Sequence, residues 1–177
     1  MTREELIRKT EQLCDLYLEL KKEGVYGIIY SLCKIEIHCL GHTLKKFAGD
    51  TPTKTRKPIT KIKDYPTETF VEFDKFTAFT LNELDEGEES KITREELIRK
   101  TEQLCDLYLE LEKEGVFGIT NWLGKTRVQC FSHNTLKKFA GDIPIETRKL
   151  SIENYPTETF VKLDKFTAFT LNEEEEQ

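Results

Sequence analysis

The chain has 177 residues, of which 34% are charged and 37% are apolar. This composition is typical of a globular protein and argues against a disordered or membrane-spanning chain. No stretch approaches the roughly 20 consecutive apolar residues that a transmembrane helix needs, and the N-terminus lacks the apolar core of a signal peptide. We therefore expect a cytoplasmic protein that makes no membrane contact.

The net charge of −6 is unevenly distributed along the chain. Two acidic runs, residues 83–91 and 173–177, hold nine of the 33 Asp and Glu residues, which leaves 24 acids against 27 Lys and Arg. The remaining sequence is close to neutral, which argues against an acidic surface that imitates nucleic acid. The two runs are typical of a solvated linker and a solvated tail.

Most of the sequence is present twice. The segment Thr2–Leu20 recurs letter for letter as Thr93–Leu111. Three further segments recur: LKKFAGD at 44–50 and 136–142, YPTETFV at 65–71 and 155–161, and DKFTAFTLNE at 74–83 and 164–173. We call residues 1–82 the first copy and residues 92–172 the second copy, and predict two tandem α+β domains. Because duplicated domains often reproduce a dimer within one chain, we expect a pseudo-twofold relation between them.

Each copy begins with a predicted helix of about 20 residues. Thr2 and Glu5 form a capping box, and Gly24 is a typical residue to end the helix. Apolar residues recur at helical spacing and predict one buried face, formed by Leu6, Leu13, Tyr17 and Leu20 and widened by Ile7, Cys14 and Leu18. We expect this helix to pack on a small antiparallel sheet of its own copy.

A pair of strands and a short helix are predicted next. In the second copy the strands are Val116–Trp122 and Thr126–Phe131, with a turn at Gly124-Lys125. In the first copy the turn falls near Cys33-Lys34. The short helices His42–Phe47 and His133–Phe139 follow, and each leads into a polar loop.

Each copy ends in a predicted hairpin, which in the first copy joins Thr67–Phe73 to Phe76–Leu81 through Asp74-Lys75. Pairing Phe73 with Phe76 leaves apolar residues on both faces of the hairpin. One face packs on the helix, and we expect the other to be covered by the other copy, another subunit or a partner. This face therefore predicts a homo-oligomer contact as one alternative.

The order of segments resembles that of small accessory proteins of phages and prophages of Gram-positive bacteria. The resemblance is carried by LKKFAGD, a polar loop and YPTETFVEFDKFTAFTL, which together cover about the last 40 residues of each copy. It implies a protein that acts in the host cytosol on a host macromolecule, including one of a defence system. It implies no site residues, because these segments contain no catalytic motif.

The two copies differ most in the predicted strand pair. Surface positions there change in charge and shape while exposed helix positions stay the same. We therefore predict binding residues in this segment: Tyr30, Glu36 and His38, which become Asn121, Arg127 and Gln129, and Trp122 as an aromatic anchor. Two alternatives stay open: neutral drift of the strand pair, and a tryptophan that is simply half-buried in a strand.

Five cysteines, an odd number, argue against a disulfide framework in a cytosolic protein. Cys14 and Cys105 fall at equivalent helical positions and are predicted to be small buried residues. A Cys-x-x-His pair occurs in each copy, and the two pairs together have the ligand types of a zinc site, namely Cys39, His42, Cys130 and His133. A single pair of this kind is a weak signal, so we expect no metal and no cofactor.

No phosphate-binding glycine loop and no hydrolase or metalloprotease motif occurs, and a Cys–His nucleophile pair would lack an orienting partner. The basic loop of the first copy, with Lys54, Arg56, Lys57, Lys61 and Lys63, loses its charge in the second copy, which disfavours nucleic acid. The sequence thus predicts a non-catalytic binding or inhibitor protein with a host protein as partner. The alternative is a protein that sequesters a small nucleotide-like ligand between the two copies.

Overall fold

The computed structural model describes residues 1–31, 34–57, 67–81, 91–122, 125–152 and 155–172. At residues 29–31, 34, 120–122, 125, 151, 152 and 156 the structure describes the backbone only. The predicted linker 83–91, except Lys91, and the tail 173–177 lie outside the described residues. The chain has an α+β fold, as the sequence predicts.

The same order of elements occurs in both copies. The first copy contains α1 (Arg3–Lys22), β1 (Val25–Ser31), β2 (Lys34–Cys39), α2 (Gly41–Ala48), β3 (Lys54–Arg56), β4 (Glu68–Glu72) and β5 (Phe76–Leu81). The second contains α3 (Arg94–Glu112), β6 (Val116–Trp122), β7 (Lys125–Cys130), α4 (His133–Ala140), β8 (Glu146–Ile152), β9 (Tyr155–Lys162) and β10 (Phe166–Asn172). The long helices begin as predicted, because Thr2 Oγ1 accepts from the Glu5 amide at 3.2 Å and Thr93 Oγ1 from the Glu96 amide at 3.1 Å.

The strands of each copy form a five-stranded mixed arrangement. In the first copy the order is β3-β4-β5-β2-β1, and β2 and β5 are parallel while the other pairs are antiparallel. In the second copy the order is β6-β7-β10-β9-β8, with β7 and β10 parallel. The prediction of an antiparallel sheet was wrong at this one pair, because α2 and α4 carry the chain across before the final hairpin joins the sheet.

The polar loops contain a strand that the sequence did not predict. β3 pairs with β4, and β8 pairs with β9, through residues that are mostly exposed and polar. An edge strand of this kind shows no apolar alternation, so the sequence pattern predicts a loop there. The predicted short helices and hairpins are confirmed within two residues, and the Phe73 amide donates to the Phe76 carbonyl at 2.9 Å, as the predicted pairing requires.

One face of each sheet, which we call the inner face, packs against the short helix. In the first copy the ring of Phe47 in α2 lies 5.6 Å from that of Phe76, and in the second Phe139 in α4 lies 5.6 Å from Phe166. The predicted helical stripe is buried at Leu6, Leu13, Cys14, Tyr17 and Leu20, and Cys105 is buried as well. Leu18 is 39% exposed and does not belong to the buried face.

The compact units of the fold do not coincide with the two sequence copies. The first-copy unit spans Asp15–Asp106 and so contains the N-terminal half of α3. The second-copy unit joins Leu107–Gln177 to Met1–Cys14, the N-terminal half of α1. Each sheet is therefore grouped with the beginning of the other copy's long helix, whereas we expected each long helix to pack on the sheet of its own copy.

Two arginines make hydrogen bonds within these units to residues of the other sequence copy. Within the second-copy unit, Arg3 donates from Nε to the Phe139 carbonyl and from Nη2 to the Ala140 carbonyl, both at 3.1 Å. Within the first-copy unit, Arg94 donates in the same way to the carbonyls that end α2, Phe47 at 2.9 Å and Ala48 at 3.4 Å. Each guanidinium satisfies carbonyls that a helix end leaves without an intrahelical donor.

Candidate functional site

The divergent strand residues lie on the sheet face opposite the short helices, which we call the outer face. In β2, Ile35 and Ile37 are buried on the inner face, so Glu36 and His38 between them lie on the outer face. Arg127 and Gln129 occupy the same positions in β7, with Val128 buried between them. The strand register thus places the two divergent residues of each copy on one face of its sheet, and their role in binding stays a prediction.

In the first copy the outer face holds two carboxylates around one guanidinium. Arg56 in β3 forms an ion pair with Glu68, which is 5% exposed. The Nη2 atom of Arg56 also lies 3.8 Å from Glu36 Oε1. Burial raises the pKa of Glu36, and the neighbouring Glu68 raises it further, while Arg56 partly offsets both effects. We call Glu36, Arg56 and Glu68 the first-copy charge cluster; its formal charge is negative.

In the second copy the same three positions hold one carboxylate and two guanidinium groups. Glu158 is 1% exposed and pairs with Arg127, and its Oε1 lies 2.9 Å from Arg148 Nη2. We call Arg127, Arg148 and Glu158 the second-copy charge cluster; its formal charge is positive. The sign differs from that of the first copy because Arg127 stands where the first copy has Glu36.

Aromatic rings beneath these clusters are covered by side chains of the same unit. Phe79 is only 3% exposed, and the centroid of its ring lies 3.9 Å from that of His38. In the second copy, Cζ of Arg127 lies 4.0 Å from the ring centroid of the counterpart Phe169. Cation–π contacts also cover Phe70 and Phe160, from Arg56 at 4.9 Å and Arg148 at 5.4 Å. These four rings are therefore buried within their own units, and a contact of the hairpin face with another subunit or a partner stays a prediction.

His38 and Gln129 mark the clearest local difference in shape. The ring of His38 packs between Phe79 and Tyr26, and burial lowers the pKa of His38 to about 4. In the second copy, Gln129 lines a cavity of about 310 Å³ together with Phe117, Cys130, Phe131, Tyr155, Thr170 and Leu171. The sequence singled out Gln129 as a binding residue and Cys130 as a weak metal-ligand candidate. It did not identify the other five lining residues, because they come from four separate segments.

Three further predicted binding residues are placed only by their backbone. Tyr30 pairs with Ile35 at the end of β1, and in β6 Asn121 pairs with Thr126 and Trp122 with Lys125. The side chains of Tyr30, Asn121 and Trp122 are outside the described part of the molecule. Their proposed role in binding stays a prediction.

The Cys-x-x-His pairs lie at the start of the short helices. The thiol of Cys39 is buried and donates to the Phe79 carbonyl at 3.6 Å, and burial raises its pKa. Burial likewise raises the pKa of Cys130 to about 12, while His42 is half-buried and His133 is exposed. Over the described residues, no group of three or more His, Cys, Asp or Glu side chains could hold a metal ion.

The predicted basic loop of the first copy is partly neutralised. Lys54 Nζ lies 2.6 Å from Glu72, and Arg56 belongs to the charge cluster described above. Lys57 is exposed, and Lys61 and Lys63 lie outside the described residues. The described part of the loop thus places two of its cations against carboxylates.

Comparison with protein-family models, with curated proteins and with solved structures found no match to this chain. Among the helices that the structure describes, none is long and apolar enough to cross a membrane.

Proposed function

We propose that this protein is a non-catalytic binding protein that recognises a macromolecular partner through the outer faces of its sheets. The observation that carries the proposal is the opposite sign of the two charge clusters, set by Glu36 in the first copy and Arg127 in the second. Complementary charge at an interface favours one partner over others and orients it during encounter. A chain with one negative and one positive cluster suits a partner whose own surface is asymmetric.

The pattern of change supports this proposal over neutral drift. Arg56 and Glu68 have identical counterparts, Arg148 and Glu158, so the acid and base that frame the divergent position are the same in both copies. The substituted residue is accommodated in each copy by an ion pair of suitable sign.

A non-catalytic role is supported by the protonation of the groups that could act as nucleophile or base. Burial raises the pKa of Cys130 and Cys105 to about 12 and that of Cys39 as well, so these thiols stay protonated at neutral pH. A protonated thiol is a poor nucleophile. With its pKa lowered to about 4, His38 is a weak general base near neutral pH.

We infer further that the chain is a tandem duplication with pseudo-twofold symmetry, and that the partner is a host protein, as the resemblance to phage accessory proteins implies. A contact between two chains through the hairpin face belongs to the same proposal. The alternative is sequestration of a small nucleotide-like ligand between the copies. It predicts retention of a small molecule through purification rather than capture of a protein.

The test is affinity capture of the tagged chain from host lysate, read by mass spectrometry, with charge-reversed variants. Glu36→Arg and Arg127→Glu reverse the divergent position of each copy, and Asp50→Arg and Arg8→Glu are matched controls at exposed positions. We expect the wild type and both controls to retain one host protein that at least one cluster variant loses. Equal capture by all five proteins would rule out the outer faces as the binding surface.

A further inference from the structure

We propose that the cavity of the second-copy unit binds the base of a nucleoside, a planar and uncharged heteroaromatic ring. The cavity adjoins the second-copy charge cluster, because Leu171 pairs with Glu158, but it shares no residue with that cluster. The proposal does not depend on the macromolecular partner proposed above. Its volume of about 310 Å³ lies at the lower end of the range of small-molecule sites. A base fits this size, whereas a larger cofactor would extend into solvent.

The cavity lies where the carboxyl ends of two parallel strands meet. Cys130 is the last residue of β7, and Thr170 and Leu171 lie near the end of β10, which runs parallel to β7. Ligands of open α/β sheets bind outside the carboxyl ends of parallel strands, because loops diverge there and leave a crevice. The position in the sheet thus agrees with a ligand site.

Aromatic rings from three separate segments form the walls. Phe117 comes from β6, Phe131 follows β7, and Tyr155 begins β9. The rings of Phe117 and Phe131 pack edge to face, with their centroids 4.9 Å apart. Because Phe131 is 56% exposed, ring surface is available beside the cavity. Stacking on such rings stabilises a bound base without requiring a charged group.

The polar groups of the cavity match the edge of a base. The amide of Gln129 offers both a donor and an acceptor, the combination that reads adjacent donor and acceptor groups on a base. None of the seven lining residues carries a charge at neutral pH, since the Cys130 thiol is protonated, so the cavity selects an uncharged ring and supports binding rather than reaction.

The first copy offers a natural comparison. At the positions of Phe117, Gln129 and Phe131 it carries Tyr26, His38 and Leu40, and the His38 ring packs against Phe79. Replacing Gln129 by His, or Phe131 by Leu, therefore installs a residue that the same sheet position already accepts in this chain. Such variants are expected to fold and to lose the base site.

The experiment is isothermal titration calorimetry of the full chain with adenosine, guanosine, cytidine and uridine, with ribose as the control lacking a base. We expect one nucleoside to bind the wild type with one site per chain, and ribose not to bind. Phe131→Leu and Gln129→His should each weaken the affinity at least about fivefold, the loss expected from one stacking or hydrogen-bonding contact. Asp50→Arg, at an exposed position of the first copy, should leave the affinity unchanged.

Three results would overturn the proposal: no nucleoside binds at millimolar concentration, ribose binds as well as the nucleosides, or the cavity variants bind with wild-type affinity. If nucleosides fail and Phe131→Leu loses the host protein in affinity capture, the cavity accepts an aromatic side chain of that partner instead. That outcome leaves the outer-face proposal intact, because the charge clusters are tested by Glu36→Arg and Arg127→Glu.

Discussion

The two copies are most alike in the long helix and the final hairpin and most different on the outer faces of their sheets. On the inner face, Ile35 and Ile37 become Thr126 and Val128, and all four stay buried. On the outer face, Glu36 becomes Arg127, which reverses a charge, and His38 becomes Gln129, which replaces a ring by an amide. The inner face accepts only residues of similar or slightly smaller volume, whereas the outer face has been remodelled.

This difference shows that one residue determines the sign of each charge cluster. Two members, an arginine in the edge strand and a buried glutamate in β4 or β9, are the same in both copies. Only the third member varies, and it decides whether the cluster holds an excess carboxylate or an excess guanidinium. A duplicated scaffold can thus acquire two distinct surfaces without a change in its core.

The largest effect is expected in the part that the copies share. Leu13→Ala and Leu104→Ala remove equivalent, fully buried side chains, and each should lower the free energy of unfolding by about 2–5 kcal/mol. Urea unfolding measures this loss, with Leu18→Ala as an exposed control expected to change stability by less than about 0.5 kcal/mol. Unequal losses of more than about 2 kcal/mol between the two leucine variants would show that the two cores are not equivalent.

A smaller but unequal effect is expected for the shared glutamate. Glu158→Gln leaves Arg127 and Arg148 without their common carboxylate and should cost about 3 kcal/mol. Glu68→Gln should cost about 1 kcal/mol, because Arg56 keeps Glu36 as a partner and one carboxylate repulsion is removed. Urea unfolding of the two variants compares them, and equal losses would contradict the different charge balance of the clusters.

Local pattern was sufficient to predict the helices and the final hairpin. These features follow from periods of 3.6 and 2 residues, which adjacent residues determine. The parallel pairing of β2 with β5 was not predictable, because residues far apart in the chain determine strand order. The charge clusters were missed for the same reason, since Arg56 and Arg148 belong to edge strands without an apolar signature.

The exchange of helix halves could not be predicted for a different reason. α1 and α3 share an identical sequence over most of their length, so each presents the same buried stripe to either sheet. No local preference distinguishes the two arrangements. Contacts such as that of Arg3 with the end of α4 join residues more than 130 positions apart and are visible only in the fold.

The outer faces should also differ in their response to acid. The rings of Phe79 and Tyr26 surround His38 without a charge, and burial lowers the pKa of His38 to about 4 from its ordinary value near 6.5. Because the unfolded state binds the proton first, the contribution of His38 to stability is complete above pH 6.5 and is lost as pH falls toward 4. His38→Gln, which installs the residue of the second copy, should remove this loss.

Urea unfolding at pH 4.5 and pH 7.5 measures the effect. Between these two values the wild type should lose about 2 kcal/mol more than His38→Gln. The contribution of Glu36 has the opposite sign, since its pKa is raised, but it is present in both proteins and largely cancels in the comparison. His133→Gln, at an exposed position, is the control, and an acid slope unchanged by His38→Gln would show that the histidine is solvated.

The smallest expected effect tests whether the N-terminal half of each long helix packs with the sheet of the other copy. Arg3→Ala and Arg94→Ala each remove two hydrogen bonds to the end of a short helix and should lower stability by about 1 kcal/mol. Arg8→Ala, on the exposed side of α1, is the control.

The decisive measurement is amide hydrogen exchange, because the exchange of helix halves predicts that each variant affects the short helix of the other copy. Arg3→Ala, in the first copy, should speed exchange at the C-terminal end of α4, and Arg94→Ala, in the second copy, should do so at the end of α2. If each variant instead loosens the short helix of its own copy, each long helix packs on the sheet that follows it in sequence, and the compact units are the two copies themselves.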